Sequence, residues 1–190
     1  MRVTDILEQE HQLVLPFLDA LEAAARRLDS RQQTSIPELR PSFFIEASEF
    51  MKSFIDGCHH PKEEGLFFKA LEEAGVPQLG GLMGEVLAEH DECRRLSLQV
   101  NACAERLTHG DAASRATLAW NTLAYIRLIR PHIAKEEAVL FPFAEKRLSP
   151  EQQEELARQF ALIETERKEQ ELYRRCLNLA QRLRAEARSA

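Results

Sequence analysis

The sequence predicts an all-α fold, and three observations carry that reading. Apolar residues recur at spacings of three and four along the chain, and no stretch alternates apolar and polar residues as a half-buried strand would. Leu, Ala, Glu, Gln and Arg, which lose little freedom in a helix, dominate over the sparse Val, Ile and Thr. Glycine and proline are few, and some of them mark breaks between the periodic segments, at Gly75-Val76-Pro77, Gly80-Gly81, His109-Gly110-Asp111 and Ser149-Pro150.

The elements follow in order. A first helix runs from about Thr4 to Asp29, with Ile6, Leu7, Val14, Phe17, Leu18 and Leu21 available for a buried face. Ser35 with Glu38, around Pro37, reads as a capping box opening a second helix that carries Phe43, Phe44, Phe50, Phe54 and Phe67 and ends near Gly75. A third helix follows the glycine loop to about Leu107, and a fourth runs from about Ala113 to Arg147. These four suffice for a bundle over residues 1–148. Ser149, Pro150 and Gln152 then supply a cap, a first-turn proline and a box partner, so residues 149–190 form a fifth helix, to about Arg188. Its Leu172, Cys176, Leu179 and Leu183 make a short heptad-like stripe that needs a surface, either the bundle or a second copy in a homodimer.

Composition narrows the function. With 44% hydrophobic and 29% charged residues the chain can bury a core, which excludes a disordered protein. A net charge of −6 disfavours nucleic acid and anionic lipid as the main partner, although Arg167 to Arg188 is locally basic. No run of about 18 apolar residues spans a bilayer, and Met1 to Gln9 lacks the apolar stretch of a signal peptide, so the expected location is cytoplasmic. Four cysteines at 58, 93, 103 and 176 make no CxxC pair and read as reduced thiols.

One internal repeat organises the chemistry. Shifted by 73 positions, residues 59–68 (HHPKEEGLFF) align without gaps to 132–141 (HIAKEEAVLF), sharing His, Lys, Glu, Glu and Phe. A weaker echo pairs Glu10-His11 with Glu89-His90. Each half therefore reads as a helix with one Glu-His followed by a helix with His-x3-Glu. Six histidines among 25 glutamates in 190 residues would give about one His-x3-Glu by chance, and three occur, at His59/Glu63, His60/Glu64 and His132/Glu136. The spacing alone is weak; its recurrence at matching positions of a repeat is not. Residues i and i+4 lie within about 40° on one helix face, so His59 with Glu63, and His132 with Glu136, can point into a bundle together. Position 133, which matches His60, is Ile, so the register selects His59 and puts His60 beside the site, with ligation by His60 as the alternative. Several imidazoles and carboxylates converging among Phe and Leu need a cation, and four imidazoles with two carboxylates match a carboxylate-bridged dinuclear site. Nitrogen and oxygen donors without thiolate favour iron or manganese over a structural zinc, and two irons are the first choice.

Together the Glu10-His11 start, HHPKEEGLFF, GVPQLGGLMGEVLAEH and HIAKEEAVLFPF resemble the hemerythrin family in its bacterial His-His-Glu cation-binding form, over about residues 3–147. The resemblance implies an antiparallel four-helix bundle of two repeated hairpins. It implies His11 and His90 as lone ligands, His59 and His132 as the second imidazoles, and Glu63 and Glu136 bridging two irons that also share an oxo bridge. It further implies that the site binds dioxygen or, in some members, nitric oxide or peroxide. Two classes follow: a diiron oxidoreductase or stress-response protein served by an electron donor the sequence does not name, or a module that binds or senses oxygen or iron without turnover. Oxygen-carrying hemerythrins have a fifth histidine one turn after the third-helix ligand, where this chain has Arg94, which favours a reactive site with an open position. Cys93 and Arg94 lie three and four residues after His90 and can lean toward the metals, and Tyr125, seven before His132, can donate to a metal-bound ligand.

Overall fold

The computed structural model describes residues 2–29, 39–40, 42–78, 80–169 and 171–189, and every regular element among them is helical. The elements are α1 (Val3–Asp29), α2 (residues 42–73), α3 (Gly81–Thr108), α4 (residues 114–147), α5 (Pro150–Glu169) and α6 (Glu171–Ser189). The expected box of Ser35 and Glu38, and the side chain of Leu172, lie outside the described residues. The single helix expected over 149–188 is described as α5 and α6 on either side of residue 170.

The helix ends have local causes. At the end of α2, Gly75 adopts φ 84°, its N–H bonds Glu72, and the Val76 N–H bonds Leu71, a Schellman closure that a side chain at Gly75 would strain. Gly110, at φ 92°, closes α3 in the same way, with bonds from its own N–H to Leu107 and from the Asp111 N–H to Arg106. At the start of α5, the Gln152 N–H donates to Ser149 Oγ (3.3 Å) and the Ser149 N–H to Gln152 Oε1 (2.9 Å), the reciprocal bonds of a capping box.

The first four helices pack in a ring, α1 on α4, α4 on α3, α3 on α2, and α2 on α1. Cross-contacts give their directions. Along α1 and α4 the partners are Thr4 with Glu145, His11 with Glu137 and Asp19 with Arg130; along α2 and α3 they are Ser48 with Asn101 and Glu64 with His90. Asn121 pairs with Cys103 and His132 with Glu89, while Glu10 meets His59 and Phe17 meets Phe50. In every pair the residue numbers fall along one helix as they rise along the other.

Two apolar clusters fill this bundle. One holds Val14, Phe17, Phe50, Phe54, Val100, Leu118 and Ile133, and the other Leu7, Phe67, Phe68, Val86, Leu140 and Phe141. Between them, at the level of residues 10–11, 59–63, 89–90 and 132–136, lies a buried layer of His and Glu. The last two helices cover one side. Leu156 and Phe160 of α5 join the cluster of Val3 and Leu7, and Cys176, Leu179 and Leu183 of α6 join the other. Arg40 clasps Glu186 (2.8 Å) and Glu46, Arg182 reaches Glu46 (3.3 Å), and Arg27 donates to the Ala187 carbonyl (2.9 Å), so α6 lies along α1 and α2 of its own chain. No helix among the described residues is long and apolar enough to cross a membrane.

Candidate metal centre

Both His-x3-Glu helices widen where the carboxylate enters the core. Glu63–Phe67 and Glu136–Leu140 are π-helical, closed by the Phe68 N–H to Glu63 and by the Phe141 N–H to Glu136, five residues back. The two segments sit at matching positions of the repeat. Such a turn inserts one extra residue into the helical register and is common at functional sites. A further wide stretch, Met51–His59, precedes Pro61, whose ring lacks an N–H and crowds the carbonyl four residues back.

Six side chains converge in the layer. His11, His59, Glu63 and Glu136 each offer one donor atom within 4.8 Å of the others, and Glu63, His90, His132 and Glu136 do the same. The two groups share both carboxylates. His11 Nε2 lies 3.1 Å from His59 Nε2 and 3.3 Å from Glu136; His90 Nε2 lies 3.3 Å from Glu63, and His132 Nε2 3.2 Å from Glu136.

Outside this inner set each imidazole turns Nδ1 to a carboxylate. His11 meets Glu137 (3.0 Å), His59 meets Glu10 (2.9 Å), His90 meets Glu64 (2.7 Å) and His132 meets Glu89 (2.9 Å). Lys62 bonds Glu10, and Lys135 bonds Glu89 (2.6 Å). Phe141 stacks on His11 (ring centroids 5.8 Å apart) and Phe68 on His90 (6.2 Å). Under the offset of 73, Lys62 becomes Lys135, Glu64 becomes Glu137 and Phe68 becomes Phe141, so inner donors, outer carboxylates, lysines and stacked rings obey one pseudo-twofold relation. A carboxylate on Nδ1 fixes the tautomer that leaves Nε2 free to ligate a metal.

The layer makes little sense without a cation. Both oxygens of Glu63 and of Glu136, and Nε2 of His90 and of His132, are buried with no hydrogen-bond partner. Each such group costs roughly 1–3 kcal/mol, and more when charged. Burial opposes charge on His90, but Glu136, Glu63 and Glu64 outweigh it and push its pKa up to about 11. Burial likewise opposes the Glu136 carboxylate, yet His11, His90 and His132 hold it well below the usual range. Cations bound in the layer would give these carboxylate oxygens and imidazole nitrogens the partners they lack.

Residues 2–144 match the family described as the hemerythrin HHE cation binding domain. The chain belongs to the hemerythrin family. Two curated relatives, uncharacterized proteins of Mycobacterium tuberculosis (strain ATCC 25618 / H37Rv) and Mycobacterium bovis (strain ATCC BAA-935 / AF2122/97), are each 32% identical over 136 residues, which cover 72% of this chain. The match covers 51% of either relative, so it spans about half their length. No solved structure matches the chain.

The other residues singled out from the sequence take different places in this hemerythrin domain. Arg94 is one-third exposed and bonds Glu64 and Asp91 (2.9 Å), so it touches the carboxylate behind His90 and not the inner donors. Cys93 packs in the larger apolar cluster, where burial raises its thiol pKa. Tyr125 is wholly buried, and its hydroxyl has no partner. His60 is also wholly buried, stacked on His90 with centroids 3.8 Å apart, and a donor atom of His60 lies within 4.8 Å of donors of His90 and His132. Residues the sequence reading left without a role are Glu10, Glu89, Lys62, Lys135 and Asp56. The first four stood in the repeated Glu-His and KEE strings, which was the signal for them.

Proposed function

We propose that the chain is a non-haem diiron protein, an antiparallel four-helix bundle that binds dioxygen, nitric oxide or peroxide and reacts with it. One observation carries this reading: two four-donor groups, each with two imidazoles, share both carboxylates of Glu63 and Glu136. That is the demand of two cations about one carboxylate-bridge apart, and hard or borderline N/O donors suit iron. His11 and His59 would hold one iron, His90 and His132 the other, and Glu63 and Glu136 both. Two irons bound there supply a reversible change of oxidation state beside a position for a small ligand.

The chain's own groups do the rest. Glu10, Glu64, Glu89 and Glu137 orient the four imidazoles, and Lys62, Lys135 and Arg94 neutralise three of those carboxylates. Phe68 and Phe141, with the apolar clusters above and below, keep bulk water from the layer. The test is metal analysis of protein purified with and without air, followed by optical spectra on adding dioxygen, nitric oxide and peroxide. About two irons per chain and spectra that change with one of these ligands are expected; stoichiometric zinc from iron-replete cells, with no iron uptake on reconstitution, overturns the reading.

A further inference from the structure

The pseudo-twofold relation fails most sharply at His60. In the other half its position is Ile133, and the position of Asp56, four residues before it, is Ile129; both isoleucines are buried in the apolar cluster. An apolar residue therefore fits this place in the fold. His60 is instead buried with neither ring nitrogen in a hydrogen bond, and Asp56 Oδ1 is buried beside it without a partner. Two unpaired polar groups at a site that accepts aliphatic side chains are a cost with no structural return.

The neighbours show what the return is. Asp56 Oδ1 stands 3.2 Å from His60 Nδ1, close but outside hydrogen-bond geometry, on the ring edge where Glu137, Glu10, Glu64 and Glu89 hydrogen-bond the other four imidazoles. That leaves Nε2, and the ring lies flat against His90 in the group it shares with His90 and His132. The wide turn Met51–His59 ends at His59, so two consecutive histidines both enter the layer, one toward each pair.

We propose that His60 is a fifth imidazole ligand, oriented by Asp56 and directed at the cation held by His90 and His132, so that the two cations carry three and two imidazoles. The inference rests on the dinuclear reading above. It makes the two positions chemically unequal, because the His11/His59 cation has fewer protein ligands.

The test loads the full chain anaerobically with ferrous iron alone and reads chelator competition and Mössbauer spectra. Wild type is expected to take two irons and give two distinct ferrous doublets of equal area. His60→Leu, which replaces unpaired polar atoms by an aliphatic side chain, should melt no lower than wild type without metal, yet bind one of the two irons at least about 10-fold more weakly. Only one doublet should change. Asp56→Asn keeps the imidazole and should weaken the same iron by about 10- to 100-fold, and added imidazole should restore the second iron to His60→Ala. Two irons with unchanged affinities and both doublets intact in His60→Leu overturn this inference alone. Wild-type protein that takes up no iron overturns the dinuclear reading and this inference with it.

Discussion

The two halves of the hemerythrin domain, α1 with α2 and α3 with α4, agree at the four paired imidazoles, the two shared carboxylates, the carboxylates behind the imidazoles and the stacked rings, and diverge at His60, Asp56 and Arg94 and over most of the outer surface. The agreement includes exchanged parts. His11 of the first half takes Glu137 and Phe141 from the second, and His90 of the second takes Glu64 and Phe68 from the first. Neither hairpin alone could orient all its imidazoles, so the repeat constrains both copies together. Beyond those parts the halves have separated. Arg94 in α3 bonds Glu64, while its counterpart in α1 is Leu15, packed against the apolar cluster. The C-terminal helices lie against α1 and α2, whereas Trp120 of α4 and Leu98 of α3 stay 66% and 65% exposed. Ligation tolerates errors of a few tenths of an ångström, but the outer surface meets no such demand.

The comparison can be broken hardest at the shared carboxylates. Glu63→Ala and Glu136→Ala should each lose at least one metal, and to the same extent, because each carboxylate belongs to both donor groups. Metal content of the purified variants checks this; a loss confined to one of the two variants would show that the halves do not share their carboxylates.

The next effect sharpens the outer asymmetry. Chain truncated after residue 148 keeps every inner donor but uncovers what Leu156, Phe160, Leu179 and Leu183 bury, at about 1.5–3 kcal/mol for each side chain. Stability should fall by on the order of 5 kcal/mol or more, with amides of α1 and α2 losing hydrogen-exchange protection before those of α3 and α4. Equal loss in both halves would mean that the C-terminal helices support the whole bundle.

Smaller effects separate the outer carboxylates. Glu64→Gln and Glu137→Gln should each weaken metal binding by about 10- to 100-fold, and Glu64→Gln by the larger factor, since it also leaves Arg94 beside the site without its carboxylate. Titration against a chelator measures both; equal factors would make Arg94 irrelevant to the site.

The smallest effect is acid loosening of α6. Hydrogen bonds from Arg40 hold the Glu46 carboxyl below its ordinary value, so this group contributes stability above its unfolded pKa of about 4.5 and loses it as pH falls through the lower folded value. Because the Arg40–Glu46 pair lies at the surface, with Arg40 45% exposed, the loss is of order 1 kcal/mol or less. Hydrogen exchange in α6 should therefore quicken below about pH 4 ahead of exchange in α3, and uniform quickening would remove Arg40 and Glu46 from the account.

Much of this was legible without coordinates because it is local. Helix ends follow from Gly75, Gly110 and the Ser149/Gln152 pair, whose bonds span at most five residues. The pairs His59/Glu63 and His132/Glu136 follow from helical geometry, and the repeat chose their register. Glu10, Glu64, Glu89 and Glu137 were visible as letters of the repeat, but their partners were not: the Glu137 to His11 bond spans 126 residues and the Glu64 to His90 bond 26.

What the sequence determined by itself is the set of helices and the donors each can present to one face, because a helix sets side-chain direction within a single turn. What only the tertiary structure decided is which donors meet. His60 enters the layer and Arg94 stays at its edge although both lie on a histidine-bearing face, because their directions depend on a widened turn in α2 and on the packing of α2 against α3. Those are properties of two helices at once, and no periodicity along one chain segment encodes them.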